Sequence, residues 1–116
     1  MKKIALMLTV LIMFSFSVAA FALETRSPST DYGMYFSGST VNCFAETVGD
    51  SDEDISITMK LYENGSRIRT WSDADTTYLY VSGSAPANKG DVYKLTVQVT
   101  IDGVQQPMMI INKEYR

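Results

Sequence analysis

Between residues 89 and 103 the chain reads KGDVYKLTVQVTIDG, and from Tyr93 to Ile101 apolar and polar side chains alternate without interruption. Tyr93, Leu95, Val97, Val99 and Ile101 share one side, while Val92, Lys94, Thr96, Gln98 and Thr100 share the other. A strict period of two is the mark of a strand with one buried face. The same period recurs upstream. Tyr32, Met34 and Phe36 recur at every second position and predict a first strand. Thr40 to Val48 predicts a second, with Val41, Cys43 and Ala45 on one face and Phe44 and Val48 on the other. Periodicity alone leaves open which of those faces points inward. Ile55, Ile57, Met59 and Leu61 alternate with Ser56, Thr58 and Lys60 in a third strand.

Turn chemistry punctuates these runs. Asn64-Gly65 falls between two alternating segments, and both residues tolerate the positive φ that a two-residue hairpin turn needs. The return strand is expected from Arg67 to Trp71, followed by a polar loop from Ser72 to Asp75. A fifth strand is expected from Thr76 to Ser82, ended by Gly83-Ser84-Ala85-Pro86. Asp102-Gly103 supplies a second hairpin turn into a last strand near Met108 to Lys113. Pro107 has no N–H for a ladder, which places that strand at an edge or at a bulge. No window keeps a period of 3.6 for three turns. About seven short antiparallel strands predict an all-β chain, a single immunoglobulin-like β-sandwich. In that frame Tyr93 stands where a tyrosine corner turns its hydroxyl back to the chain just upstream. Leu95 and Cys43 occupy the positions that a disulfide would otherwise bridge.

The first residues, MKKIALMLTVLIMFSFSVAAFA, change the setting of the fold. A basic pair, an uncharged apolar run and Ala20-Phe21-Ala22 predict a signal peptide over 1–22 with cleavage after Ala22. The apolar run is short for a membrane span, which needs about 20 residues. Removing residues 1–22 leaves 94 residues and, with Lys2 and Lys3 gone, a charge of −5 instead of −3. Residues 23–31 read as a flexible leader and 32–116 as the β-sandwich domain. The product is expected to be secreted and extracellular, with no membrane attachment after cleavage. A negative chain disfavours nucleic acid, whose recognition needs a basic stripe. With one cysteine, Cys43, no intrachain disulfide can form, and export without disulfides fits a Gram-positive bacterium.

The phrase L-Y-E-N-G-S…W, from Leu61 to Trp71, and the later K-G-D-V-Y-K-L-T-V-Q-V resemble a family of small secreted proteins of Firmicute-type bacteria. Those chains carry L-x-x-x-x-G-x-W…W and then K-G-x-Y-R-x-x-V-x-V. This chain departs from the pattern at Arg67, where a tryptophan is common. The resemblance implies a compact β-sandwich and export; the family has no assigned activity and the resemblance implies no site.

Candidate chemistry is sparse. The chain has no histidine, so the commonest general base is missing, and so are Ser-His and Cys-His nucleophiles. No catalytic residue, cofactor or enzymatic activity is expected. Cys43 on an alternating strand reads as a small buried hydrophobe. Asp50, Asp52, Glu53 and Asp54 lie within five residues, the sort of spacing that can offer oxygens to Ca²⁺. The run lacks the glycine and the distal bidentate glutamate of an EF-hand, and it reads first as a solvated loop. Trp71, Tyr78 and Tyr80 are the candidate surface contacts, able to stack on sugar rings or anchor a protein. Two functions fit. One is a non-catalytic extracellular interaction module, monomeric or weakly dimeric, whose partner is a protein or a cell-surface glycan. The other is an exported toxin-like or antimicrobial β-protein acting on neighbouring cells, which the net negative charge disfavours.

Overall fold

The computed structural model describes residues 29–116, an all-β chain of eight strand segments in two antiparallel sheets. The segments are β1 (Ser29–Ser37), β2 (Thr40–Val48), β3 (Asp54–Glu63), β4 (Ser66–Thr76), β5 (Tyr78–Pro86), β6 (Val92–Ile101), β7 (Val104–Gln105) and β8 (Met109–Glu114). One sheet has the order β1-β2-β5. The other runs β4-β3-β6, with β7 and β8 both paired to the far side of β6. β7 and β8 are thus two pieces of one edge strand, interrupted around Pro107 as its missing N–H requires. In an antibody constant domain the fourth strand joins the first sheet. Here β4 stays beside β3 in the second sheet.

The inward faces follow the period of two. Ile55, Ile57, Met59 and Leu61 of β3 stand opposite Ile101, Val99, Val97 and Leu95 of β6, all buried. The three-stranded sheet meets this bulky layer with Met34, Val41, Cys43, Ala45, Leu79, Val81 and Ala85. Burying each large aliphatic side chain contributes about 1.5–3 kcal/mol, so this interior layer is the main source of stability. Cys43 and Leu95 lie in the same core cluster on opposite sheets. The open question about β2 is resolved: Val41, Cys43, Ala45 and Thr47 face in, and Phe44 and Val48 face out. Thr47 satisfies its buried hydroxyl through Thr30 Oγ1 at 3.0 Å.

Tyr93 forms the expected corner, with a refinement. Its hydroxyl accepts the backbone N–H of Asn88 at 2.8 Å and donates to Glu63 Oε2. Its ring meets Phe36 edge-on at 5.5 Å, and Phe36 stacks on Tyr115 at 4.4 Å. Tyr93→Phe removes the acceptor of the Asn88 N–H and one donor to Glu63 and should cost about 1–3 kcal/mol in urea unfolding. A neutral Tyr93→Phe would mean that the corner contributes only its ring.

Three sequence expectations are corrected. β1 starts at Ser29, within the residues 23–31 read as a flexible leader, because Ser29, Thr30 and Asp31 pair with Val48, Thr47 and Glu46 without any apolar side chain to mark the strand. The polar loop expected at Ser72–Asp75 is strand, since β4 runs on to Thr76. Its polarity belongs to a free edge. Asp73 Oδ1 and Asp75 Oδ1 each accept the next backbone N–H, of Ala74 and Thr76, at 2.8 Å. Those N–H groups point away from β3, so the side chains blunt an edge that could otherwise template another strand. β5 likewise continues past Ser82 to Pro86, whose missing N–H is tolerated at a strand end on a sheet edge. Between β4 and β5 a single residue, Thr77, carries the chain from one sheet to the other. Its φ of 69° is unfavourable for a β-branched side chain. Hydrogen bonds from Gly49 N–H to Thr77 O and from Thr77 N–H to Glu53 O hold it there, at 2.8 and 2.9 Å. The expected signal peptide over 1–22 lies outside the described residues.

Candidate functional site

Because Leu79 and Val81 of β5 point into the core, Tyr78 and Tyr80 must point out, and the structure places them on the outer face of the three-stranded sheet. They are 46% and 49% exposed. Opposite Tyr80 and Tyr78 on β2 stand Glu46 and Val48, and opposite Glu46 on β1 stands Asp31. Two further aromatics join them. Tyr35 of β1 is 54% exposed, and Phe44 of β2 is half-buried on the same face. Sequence reading missed both as contact residues, although each holds the outward parity on its strand.

Two of these rings are set in place by their neighbours. A Cβ on Gly33 would stand 2.6 Å from Phe44 Cε1 and 2.9 Å from Cζ, so the Phe44 ring lies down across the bare backbone of Gly33. Tyr78 donates its hydroxyl to Glu46 Oε2 at 2.7 Å. That hydrogen bond, with lesser contributions from desolvation and from Glu46 and Tyr80 charge, holds the Tyr78 phenol above its usual pKa. The outer face therefore presents aromatic surface laid close to the sheet, with Glu46 on its central strand and Asp31 beside it on the β1 edge. No lysine or arginine occupies an outward position of β1, β2 or β5.

Trp71 is not part of this face. It sits opposite Met59 on the inward side of β4, half-buried, with its indole pressed on the Cα of Gly83. It closes the gap between the edge strands β4 and β5.

The acidic run is more structured than a solvated loop. Glu53 is buried and its Oε1 accepts the Asp50 N–H at 2.5 Å, while Asp52 has a φ of 65° and donates its N–H to Thr77 Oγ1 at 3.1 Å. Asp54 is paired through its backbone with Asp102, whose Oδ1 accepts the Asp54 N–H at 2.8 Å. Among the described residues no three carboxylates converge as ligands of one metal ion.

Cys43 is buried, and burial pushes its thiol from 9.0 up to about 11. A thiol so placed is a poor nucleophile. The shift also couples to folding. The folded pKa is raised, so the stabilising contribution is complete below pH 9.0 and is lost as pH rises towards about 11. It amounts to about 2–3 kcal/mol. Between pH 8 and 11 the wild type should lose about that much more stability than Cys43→Ala; equal losses would show that Cys43 is not desolvated.

No family model matches the chain, and no curated protein matches it. Among solved structures it is similar to "E. coli curli protein CsgC - SeCys", at 15% identity and a TM-score of 0.43, covering 74% of this chain and 97% of that one. That likeness carries no argument about function, and the fold rests on the strand pairing described above.

Proposed function

We propose that this is a secreted, non-catalytic extracellular interaction module of a Gram-positive bacterium, as the signal-peptide pattern and the resemblance to small secreted Firmicute-type proteins suggest. Its contact surface is the outer face of the three-stranded sheet. The observation that carries this reading is the alignment of Tyr35, Phe44, Tyr78 and Tyr80 on three adjacent strands, with three of the four about half exposed. Aromatic side chains bring large contact area at low conformational cost, and they are enriched where proteins meet ligands and partners.

The test is retention on cell-wall and culture-supernatant fractions. The purified protein should bind one of them, and a Tyr78→Ala/Tyr80→Ala variant should bind at least about tenfold more weakly, a loss of about 1.4 kcal/mol. Undiminished binding by that variant would move the contact surface elsewhere. N-terminal sequencing of supernatant protein should return Leu23; retention of Met1 would contradict export by cleavage.

A further inference from the structure

The ligand class can be read from the shape and charge of the same face, an inference that rests on its being the contact surface. Asp31 and Glu46 are direct cross-strand neighbours, with Tyr80 next in the row. Like charges directly opposite one another on a sheet are destabilising. Here no outward position on β1, β2 or β5 carries a cation to offset the pair, and Glu46 turns its Oε2 to the Tyr78 hydroxyl on the β5 side. The face thus carries negative charge without a counter-charge, which a positively charged ligand would supply, and the tyrosines beside Glu46 add faces on which a cation is attracted to the ring.

Size and shape narrow the choice. Three strands of nine residues span roughly 30 by 14 Å, on the order of 400 Å². A stable protein interface takes about 800 Å² of accessible surface from each partner, which would need essentially the whole of this face and its rim, so a slender chain fits it better than a folded partner or a second copy. Peptides are usually taken up along a sheet edge or in a groove. This face offers neither, since the Phe44 ring lies along the backbone of Gly33 and Tyr78 leans onto Glu46. A flat aromatic surface instead matches the C–H faces of pyranose rings, and the carboxylates of Glu46 among the rings and Asp31 beside it accept hydrogen bonds from hydroxyl and ammonium groups.

We propose that the ligand is an amine-bearing polysaccharide, an extended β-linked chain of pyranose rings that lies on Tyr35, Phe44, Tyr78 and Tyr80 with a protonated amino group between Asp31 and Glu46. Anionic polymers are repelled by the same two carboxylates.

Calorimetric titration of the purified protein tests this with three probes: β-1,4-linked glucosamine hexamer, its fully N-acetylated counterpart and hexalysine. The glucosamine hexamer should bind, more weakly as salt is raised. Its affinity should fall about tenfold or more in Tyr80→Ala and in Asp31→Asn, and stay unchanged in Lys60→Gln on the other sheet. The acetylated hexamer should bind at least tenfold more weakly than the amine. Equal affinity for both sugars would overturn the role of the amine, and absence of binding to either would overturn the proposal; in both cases the face could still serve another partner. Hexalysine binding as tightly, with the same sensitivity to Tyr80→Ala and Asp31→Asn, would overturn the sugar in favour of a basic peptide on the same face. Glucosamine binding that ignores Tyr80→Ala would remove both the ligand class and the contact surface.

Discussion

Leu95→Ala is expected to cost about 2–5 kcal/mol, the range for deleting a fully buried leucine and leaving a partly collapsed cavity. Leu95 is completely buried at the centre of β6, opposite Leu61 on one neighbour and Ile111 on the other. The outward side of the same strand gives the contrast. Lys94 is half-buried with its ammonium 4.4 Å from the centre of the Tyr62 ring, and Lys94→Ala should cost no more than about 1 kcal/mol. Gln98 is also outward, but its Nε2 donates to Gln106 O at 2.7 Å and to Val99 O at 3.2 Å. It ties down the break between β7 and β8, so Gln98→Ala should cost about 1 kcal/mol. Urea unfolding of the three variants checks the order. A cost for Lys94→Ala equal to that of Leu95→Ala would mean that the outward face is covered as well.

The second large effect is expected at Gly83. Any Cβ there would overlap Trp71 Cε2 and Nε1, with Cδ2 at 2.6 Å, so Gly83→Ala must push the indole off the sheet. Overpacking costs about 1–3 kcal/mol, and the displaced indole loses burial besides, giving about 2–4 kcal/mol in all. The mechanism is checked by a double-mutant cycle. Trp71→Ala is destabilising alone, yet in its presence Gly83→Ala should become nearly neutral, because the clash has gone. Additive costs would show that Gly83 is needed for its backbone and not for the space it leaves.

Gly83 also shows where sequence reading stops. In sequence it belongs to Gly83-Ser84-Ala85-Pro86, which resembles a turn, and only the third dimension shows a strand flattened to receive an indole. β4 escaped for a related reason: Asp73 and Asp75 look like loop residues because an edge strand exposed on both sides has no alternation to display. The strands whose apolar and polar residues alternate, β3 and β6, were legible almost to their ends, as were the turns at Asn64-Gly65 and Asp102-Gly103. All four turn residues have positive φ. At the candidate site, Tyr78 and Tyr80 were legible from the parity of β5 alone. Tyr35, Phe44 and Glu46 were not, since their membership depends on which strands are neighbours and in what register. Trp71 was drawn into the contact set by its proximity in sequence to Tyr78, although it faces the opposite way.

The central claim is that the outer face of the three-stranded sheet exists for contact and the inner face for packing. Hydroxyl-radical footprinting of the tyrosines, with and without the fraction that retains the protein, tests it most directly. In the free protein Tyr35, Tyr78 and Tyr80 should be labelled, half-buried Tyr62 on the other sheet more weakly, and fully buried Tyr93 not at all. On binding, Tyr35, Tyr78 and Tyr80 should become protected together while Tyr62 is unchanged. Protection of Tyr62 with continued labelling of the other three would contradict the account and place the contact on the larger sheet.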